Sequence, residues 1–138
     1  MKIEIKKAST PEEQQAILNI RKAVFVDEQR VDERLEFEHE EESHHFLALA
    51  DGVPAGCARW RPTEKGIKLE RFAVLKNFRN KGIGNALVLA VLKDVPQQKK
   101  LYLHAQESAV FLYQNNGFGI VGDAFEEAGI VHFLMVKD

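Results

Sequence analysis

The chain has a single cysteine, Cys57, so no disulfide can form within it, and a lone thiol suits the reducing cytoplasm. No apolar run approaches the roughly 18 residues that a membrane span needs. The first residues, Met1, Lys2, Ile3, Glu4 and Ile5, alternate charge and aliphatic carbon, which is not the apolar core of a secretion signal. Excess charge of one sign is missing too. Nineteen Lys and Arg stand against 21 Asp and Glu, a net charge of −2, and this excludes a general electrostatic footprint for nucleic acid. Internal repeats, linkers and low-complexity tracts are absent. What remains, 138 residues with 45% hydrophobic and 29% charged, is expected to fold as one domain, 1–138.

Residues 2–7 alternate as a half-buried strand does, with Ile3 and Ile5 on one face. Thr10, Pro11, Glu12 and Glu13 then spell a helix start, a hydroxyl cap followed by proline and acids in the first turn. Ile17, Ile20 and Val24 carry that helix to about position 26, and a second short helix or turn is expected within 21–31. Seven of the eleven residues in 32–42 are acidic, with Leu35 and Phe37 the apolar exceptions. This stretch is either a solvated loop or an acidic wall that draws a cationic amine into a cleft. His39, His44 and His45 lie beside it without the ligand spacing of a closed metal site, so no metal is expected.

Asp51-Gly52 is a strong hairpin signal between strands at 46–50 and 53–60, with Gly56 marking a bulge or a close neighbour and Pro62 a stop. Lys65-Gly66 turns into a third strand at 67–74. A helix over 83–95, closed by Pro96, leads to a strand at 101–105, a helix over 107–116 ending at Gly117, and two strands at 118–125 and 130–136. The order predicts an α/β fold with a mixed sheet, in which an antiparallel meander is followed by a right-handed βαβ unit.

The centre of the pattern is Arg79, Asn80, Lys81, Gly82, Ile83 and Gly84, a glycine turn leading from a strand into a helix. Unpaired N–H groups and the positive end of a helix dipole meet there, and the glycines leave room for a phosphate to approach. A Walker loop is not spelled, and a dinucleotide fingerprint fails because position 87 is Leu87.

Arg79, Gly82 and Gly84 at this turn resemble the coenzyme A signature of the GNAT N-acetyltransferase family. Gln106, Ala109, Tyr113, Gly117 and Phe118 match a second motif of the family at its spacing, with Gln106 in place of the usual asparagine. Leu101 to Gln106, together with Arg21 to Phe25 and Glu28-Gln29, also resembles a subgroup of small bacterial members whose substrates are poorly defined. The resemblance covers essentially the whole chain and implies the acyl-CoA N-acyltransferase fold, with parallel strands that splay apart. It further implies an acetyl-CoA-dependent transfer to a primary amine of a small molecule or peptide, by direct attack in a ternary complex.

On that resemblance, backbone groups of Phe72, Ala73 and Val74 pair with the pantetheine arm, and residues 79–84 hold the pyrophosphate. Gln106 is placed on the same arm, its amide one methylene further out than usual. Tyr113 is the expected acid for the departing sulfur, and its loss should alter the alkaline limb of the rate profile. Glu70 is the first candidate base, Glu28 the second and His104 the third. Buried Cys57 is read as structural. A homodimer is compatible with all of this. The competing function is a non-catalytic module that binds or senses acyl-CoA.

Overall fold

The computed structural model describes every residue except Phe37, Gln98 and Asp138; the Phe37 of the acidic stretch therefore lies outside the described residues. Strands β1 (Ile3–Lys7), β2 (His44–Ala50), β3 (Val53–Thr63), β4 (Gly66–Val74), β5 (Leu101–Gln106), β6 (Gly119–Ile120), β7 (Phe125–Glu127) and β8 (Ile130–Lys137) form one mixed sheet. Its order is β1-β2-β3-β4-β5-β8-β6, with β7 also paired to β8. Among the described residues β4 and β5 are the one parallel pair, as the βαβ pattern predicts.

Helix α1 (Pro11–Arg21) begins with a reciprocal cap. Glu13 N–H donates to Thr10 Oγ1 at 3.2 Å, and Thr10 N–H donates to the Glu13 carboxylate at 3.0 Å. The helix then widens into a π-helical turn, Lys22–Glu28, in which Gln29 N–H reaches back five residues to Val24 O. Ile17, Ile20, Val24 and Phe25 pack from this side onto Leu47, Cys57 and Ala73. The buried place of Cys57 fits the structural role expected of it.

Helix α3 (Ile83–Asp94) covers the opposite face, where Ile83, Leu87, Val88 and Val91 are buried against Phe46, Ala58, Trp60 and Leu69. Each such side chain contributes about 1.5–3 kcal/mol by leaving water. Gly56 is where the helix comes closest. A Cβ there would stand 2.8 Å from Ala73 O and 3.3 Å from both Ile83 and Leu87, so glycine marks a close neighbour as its position in a strand suggests.

Four expectations need correction. Pro62 does not stop β3, because it pairs with Ile67 near the strand end where little further ladder is required. Part of the acidic stretch is a short helix, α2 (Glu33–Glu36), rather than a loop. The strand expected over 118–125 is two short pieces, β6 and β7, broken around Gly122 at φ +81°. The last helix, α4 (Val110–Gln114), is also shorter than expected, its first turn being a 3₁₀ turn, Glu107–Ala109.

Candidate functional site

Parallel pairing of β4 with β5 ends at Leu69 and Leu103. Beyond it β4 is deflected, since its register with β3 shifts between Cys57 and Arg59 and Arg71 adopts φ +59°. The two strands part there, and a cavity of about 310 Å³ opens at the parting. It is lined by Glu70 and Phe72 from β4, His104 and Gln106 from β5, and Tyr113 from α4. Glu127 and His132, from the β7–β8 hairpin, complete it.

Of the three proposed proton acceptors, Glu70 is held most tightly. Arg59 Nε donates to Glu70 Oε2 at 2.9 Å and Arg61 Nε donates to the same oxygen at 2.8 Å. Lys68 and Arg71 stand 3.4 and 3.8 Å from Oε1. Burial opposes the charge on this carboxylate, yet Arg59, Arg71, Arg61 and Lys68 outweigh it and hold its pKa down to about 2. A carboxylate so stabilised is a very weak base. Glu70 is better described as the anionic hub of a buried network, which continues through Arg59 to Glu40 (3.1 Å) and from Glu40 to Arg21 (2.5 Å).

Glu28 lies outside the cavity. Its carboxylate accepts two hydrogen bonds from the Arg79 guanidinium, at 2.6 and 2.8 Å, which lower its pKa. The neighbouring Gln29 exchanges amide hydrogen bonds with Gln106, at 2.8 and 3.3 Å. The end of the π-helical turn thus bridges the two parted strands, one residue tied to the loop after β4 and the next to the end of β5.

The glycine turn passes twice through the left-handed region of the backbone. Gly82 caps α3 at φ +87°, Asn80 precedes it at φ +63°, and a Cβ on Gly82 would meet nothing within 4 Å. The first intrahelical bond is accepted by Gly82 O from Ala86, so the N–H groups of Ile83, Gly84 and Asn85 have no partner in the helix ladder. The Ile83 side chain is buried in the core. Arg79 Nε donates to Val74 O at 2.9 Å, and this fixes the loop to the end of β4.

Tyr113 is buried, with Phe72 edge-on at 5.6 Å and Phe118 at 6.2 Å. Burial alone pushes its phenol above the ordinary value of 10.0. It therefore stays protonated throughout any working pH range.

Part of the acidic stretch is engaged in ion pairs with the chain's own cations. Asp32 pairs with Arg34 at 3.1 Å, Glu40 serves the buried arginines, and Glu42 pairs with His39 at 2.5 Å. Among the described residues of this stretch, Glu38 and His39 reach the cavity. His44 stacks on Trp60 at 3.9 Å and His45 bonds Glu40 O at 3.0 Å. Among the described residues no group of three or more His, Cys, Asp or Glu is arranged to hold a metal ion.

Sequence reasoning missed Glu127 and His132. His104 Nδ1 lies 3.0 Å from Glu127 Oε1, and His132 Nε2 lies 3.8 Å from the other oxygen. The hydrogen bond from His104 leads in lowering the pKa of Glu127, although burial opposes it. The only signal for this cluster was the turn at 127–129, which spells a hairpin but not what its flank faces.

Residues 7–138 match the model of the acetyltransferase (GNAT) domain. The uncharacterized protein YyaT of Bacillus subtilis is 35% identical over 141 residues, covering 97% of this chain and 95% of its own. The uncharacterized N-acetyltransferase YjcF of the same organism is 36% identical over 123 residues, covering 86% and 88%. Among solved structures, Escherichia coli ElaA superposes with a TM-score of 0.86 at 24% identity, over 99% of this chain and 100% of that one. Helices long and apolar enough to cross a membrane are absent among the described residues.

Proposed function

Because the chain belongs to the GNAT acetyltransferase family, whose members transfer acyl groups from acyl-CoA, we propose that it moves the acetyl group of acetyl-CoA to a primary amine. The acceptor is a small molecule or peptide, attacked directly in a ternary complex, and the chain acts as one domain in the cytoplasm. The observation that carries this reading is the parting of β4 from β5 beside the glycine turn, with the cavity at the point of separation.

The coenzyme fits the residues present. Gly82 leaves open space at a helix start whose N–H groups are unpaired, and Arg79, Asn80 and Lys81 flank it, which suits a pyrophosphate. The released backbone of Phe72, Ala73 and Val74 offers an extended edge to the pantetheine arm. Gln106 is engaged by Gln29, so its contribution is to hold the bridge over that arm rather than to reach the arm itself. Bound there, acetyl-CoA supplies an activated acyl carbon. The raised pKa of Tyr113 suits a hydrogen-bond donor to a departing sulfur better than a full proton donor.

Calorimetry on the parent and on Gly82→Asp tests the coenzyme site. The aspartate meets no atom, but it puts a negative charge in the cradle at a strained φ. Acetyl-CoA affinity should fall more than tenfold, at least about 1.4 kcal/mol. A folded variant with unchanged affinity rejects the site. Thiol release against a panel of amines, with none accepted, rejects the transfer.

A further inference from the structure

We infer that His104 takes the proton from the attacking amine and that Glu127 holds its ring for the task. This rests on the acetyl-transfer reading above and supplies the group that reading lacks. An amine enters as an ammonium ion and cannot attack until a proton leaves, so a base must stand where the strands part. Glu70 is locked among four cations, and Glu28 is bound to Arg79 away from the cavity. His104 is the first residue of β5 beyond the last pair with β4, and it lines the same cavity as Tyr113.

The ring is set by its surroundings. A carboxylate only accepts, so the 3.0 Å contact with Glu127 makes His104 Nδ1 the donor and leaves Nε2 with the free lone pair. Phe125 packs edge-on at 5.1 Å and Tyr102 lies at 6.1 Å, which fix the ring plane. Glu127 is placed by a tight hairpin turn, with Ala128 at φ +52° and Gly129 at φ +78°. Lys68 and His132 stand closest to the pair with Tyr102 beside the ring, and the same cavity also holds Glu38, His39, Arg61, Glu70, Arg71 and Tyr113. A carboxylate that orients a histidine and stabilises its protonated form is a general device for base catalysis.

The protons balance. His104 Nε2 accepts one proton from the ammonium and passes it to water. The nitrogen lone pair then forms the bond to the acyl carbon as the carbon–sulfur bond breaks. A second N–H proton ends on the leaving sulfur, whose charge the Tyr113 hydroxyl stabilises until it arrives. The products are an amide, a thiol and one proton released to solvent.

The test is steady-state thiol release as a function of pH, using aliphatic diamines, amino sugars and short peptides as acceptors, with acetyl-CoA affinity and thermal unfolding measured alongside. His104→Gln should lose about 10²-fold or more in kcat/KM, keep its acetyl-CoA affinity and lose the acidic limb of the profile. His104→Ala should regain part of the rate when imidazole is added. Glu127→Gln should lose about tenfold and displace the acidic limb, with Glu127→Asp losing less. A His104→Gln protein that keeps more than half the parent rate and its acidic limb overturns the inference alone. Failure of imidazole to rescue a folded His104→Ala protein also overturns it. A parent that binds acetyl-CoA but acetylates none of the amines overturns the transfer reading, and the role of His104 with it.

Discussion

Tyr113 shows how a residue's surroundings change the role its sequence position suggests. Its place in the second motif, facing the parted strands, matches an acid for the departing sulfur. Burial pushes its phenol up, so it does not ionise over the range in which rates are measured. Tyr113→Phe should therefore lower kcat by about 10²-fold with no movement of the alkaline limb, contrary to the expectation from sequence. The Phe72 and Phe118 contacts survive the change, so coenzyme affinity and thermal stability should stay near those of the parent. Retention of more than half the turnover would make Tyr113 a core residue only. Glu70 carries the same lesson. Strand alternation allowed it to face the cleft, and it does, but Arg59 and Arg61 come from a neighbouring strand and no local pattern announces their convergence.

At the scale of elements, the strands and helices were legible because hydrophobic period and turn residues act locally. Thr10, Asp51-Gly52 and Gly82 each stop or start an element where the sequence places it. The π-helical turn was not legible, since Lys22–Glu28 reads as ordinary helix and its widening is set by packing against the sheet. The bridge that follows joins residues 51 and 77 positions apart, Glu28 with Arg79 and Gln29 with Gln106. It has a measurable consequence. Arg79 cannot present its full fork to a phosphate while Glu28 holds it, and an exposed pair of this kind is worth up to about 1 kcal/mol. Glu28→Gln should then tighten acetyl-CoA binding up to about fivefold by calorimetry. Weaker binding would instead mean that Glu28 holds the loop in its receptive shape.

Across the whole molecule, the buried network ties α1, the acidic stretch, β3 and β4 together through Arg21, Glu40, Arg59 and Glu70. Its dependence on pH has a definite sign. The surrounding cations hold the Glu70 carboxyl down to about 2 in the fold, against an ordinary value of 4.5, so its contribution is complete above 4.5 and is lost as pH falls toward 2. That contribution is worth up to about 3 kcal/mol. The melting temperature should hold level down to about 4.5 and then decline. Glu70→Gln should be less stable at neutral pH and show a shallower decline, and an equally steep one would assign the acid sensitivity to other carboxylates. The order of the sheet has a further consequence for how the chain is made. β8 pairs with β5 from Leu101↔Lys137 to Gln106↔His132, yet β6 and β7 are translated between them. Until the ribosome has released residue 137, β5 carries a bare backbone edge, and fully buried Met135 has not yet filled its place in the core. A nascent chain stalled in that interval is open to edge-to-edge aggregation, and a chaperone that shields strand edges would act on this protein between the synthesis of β5 and that of β8.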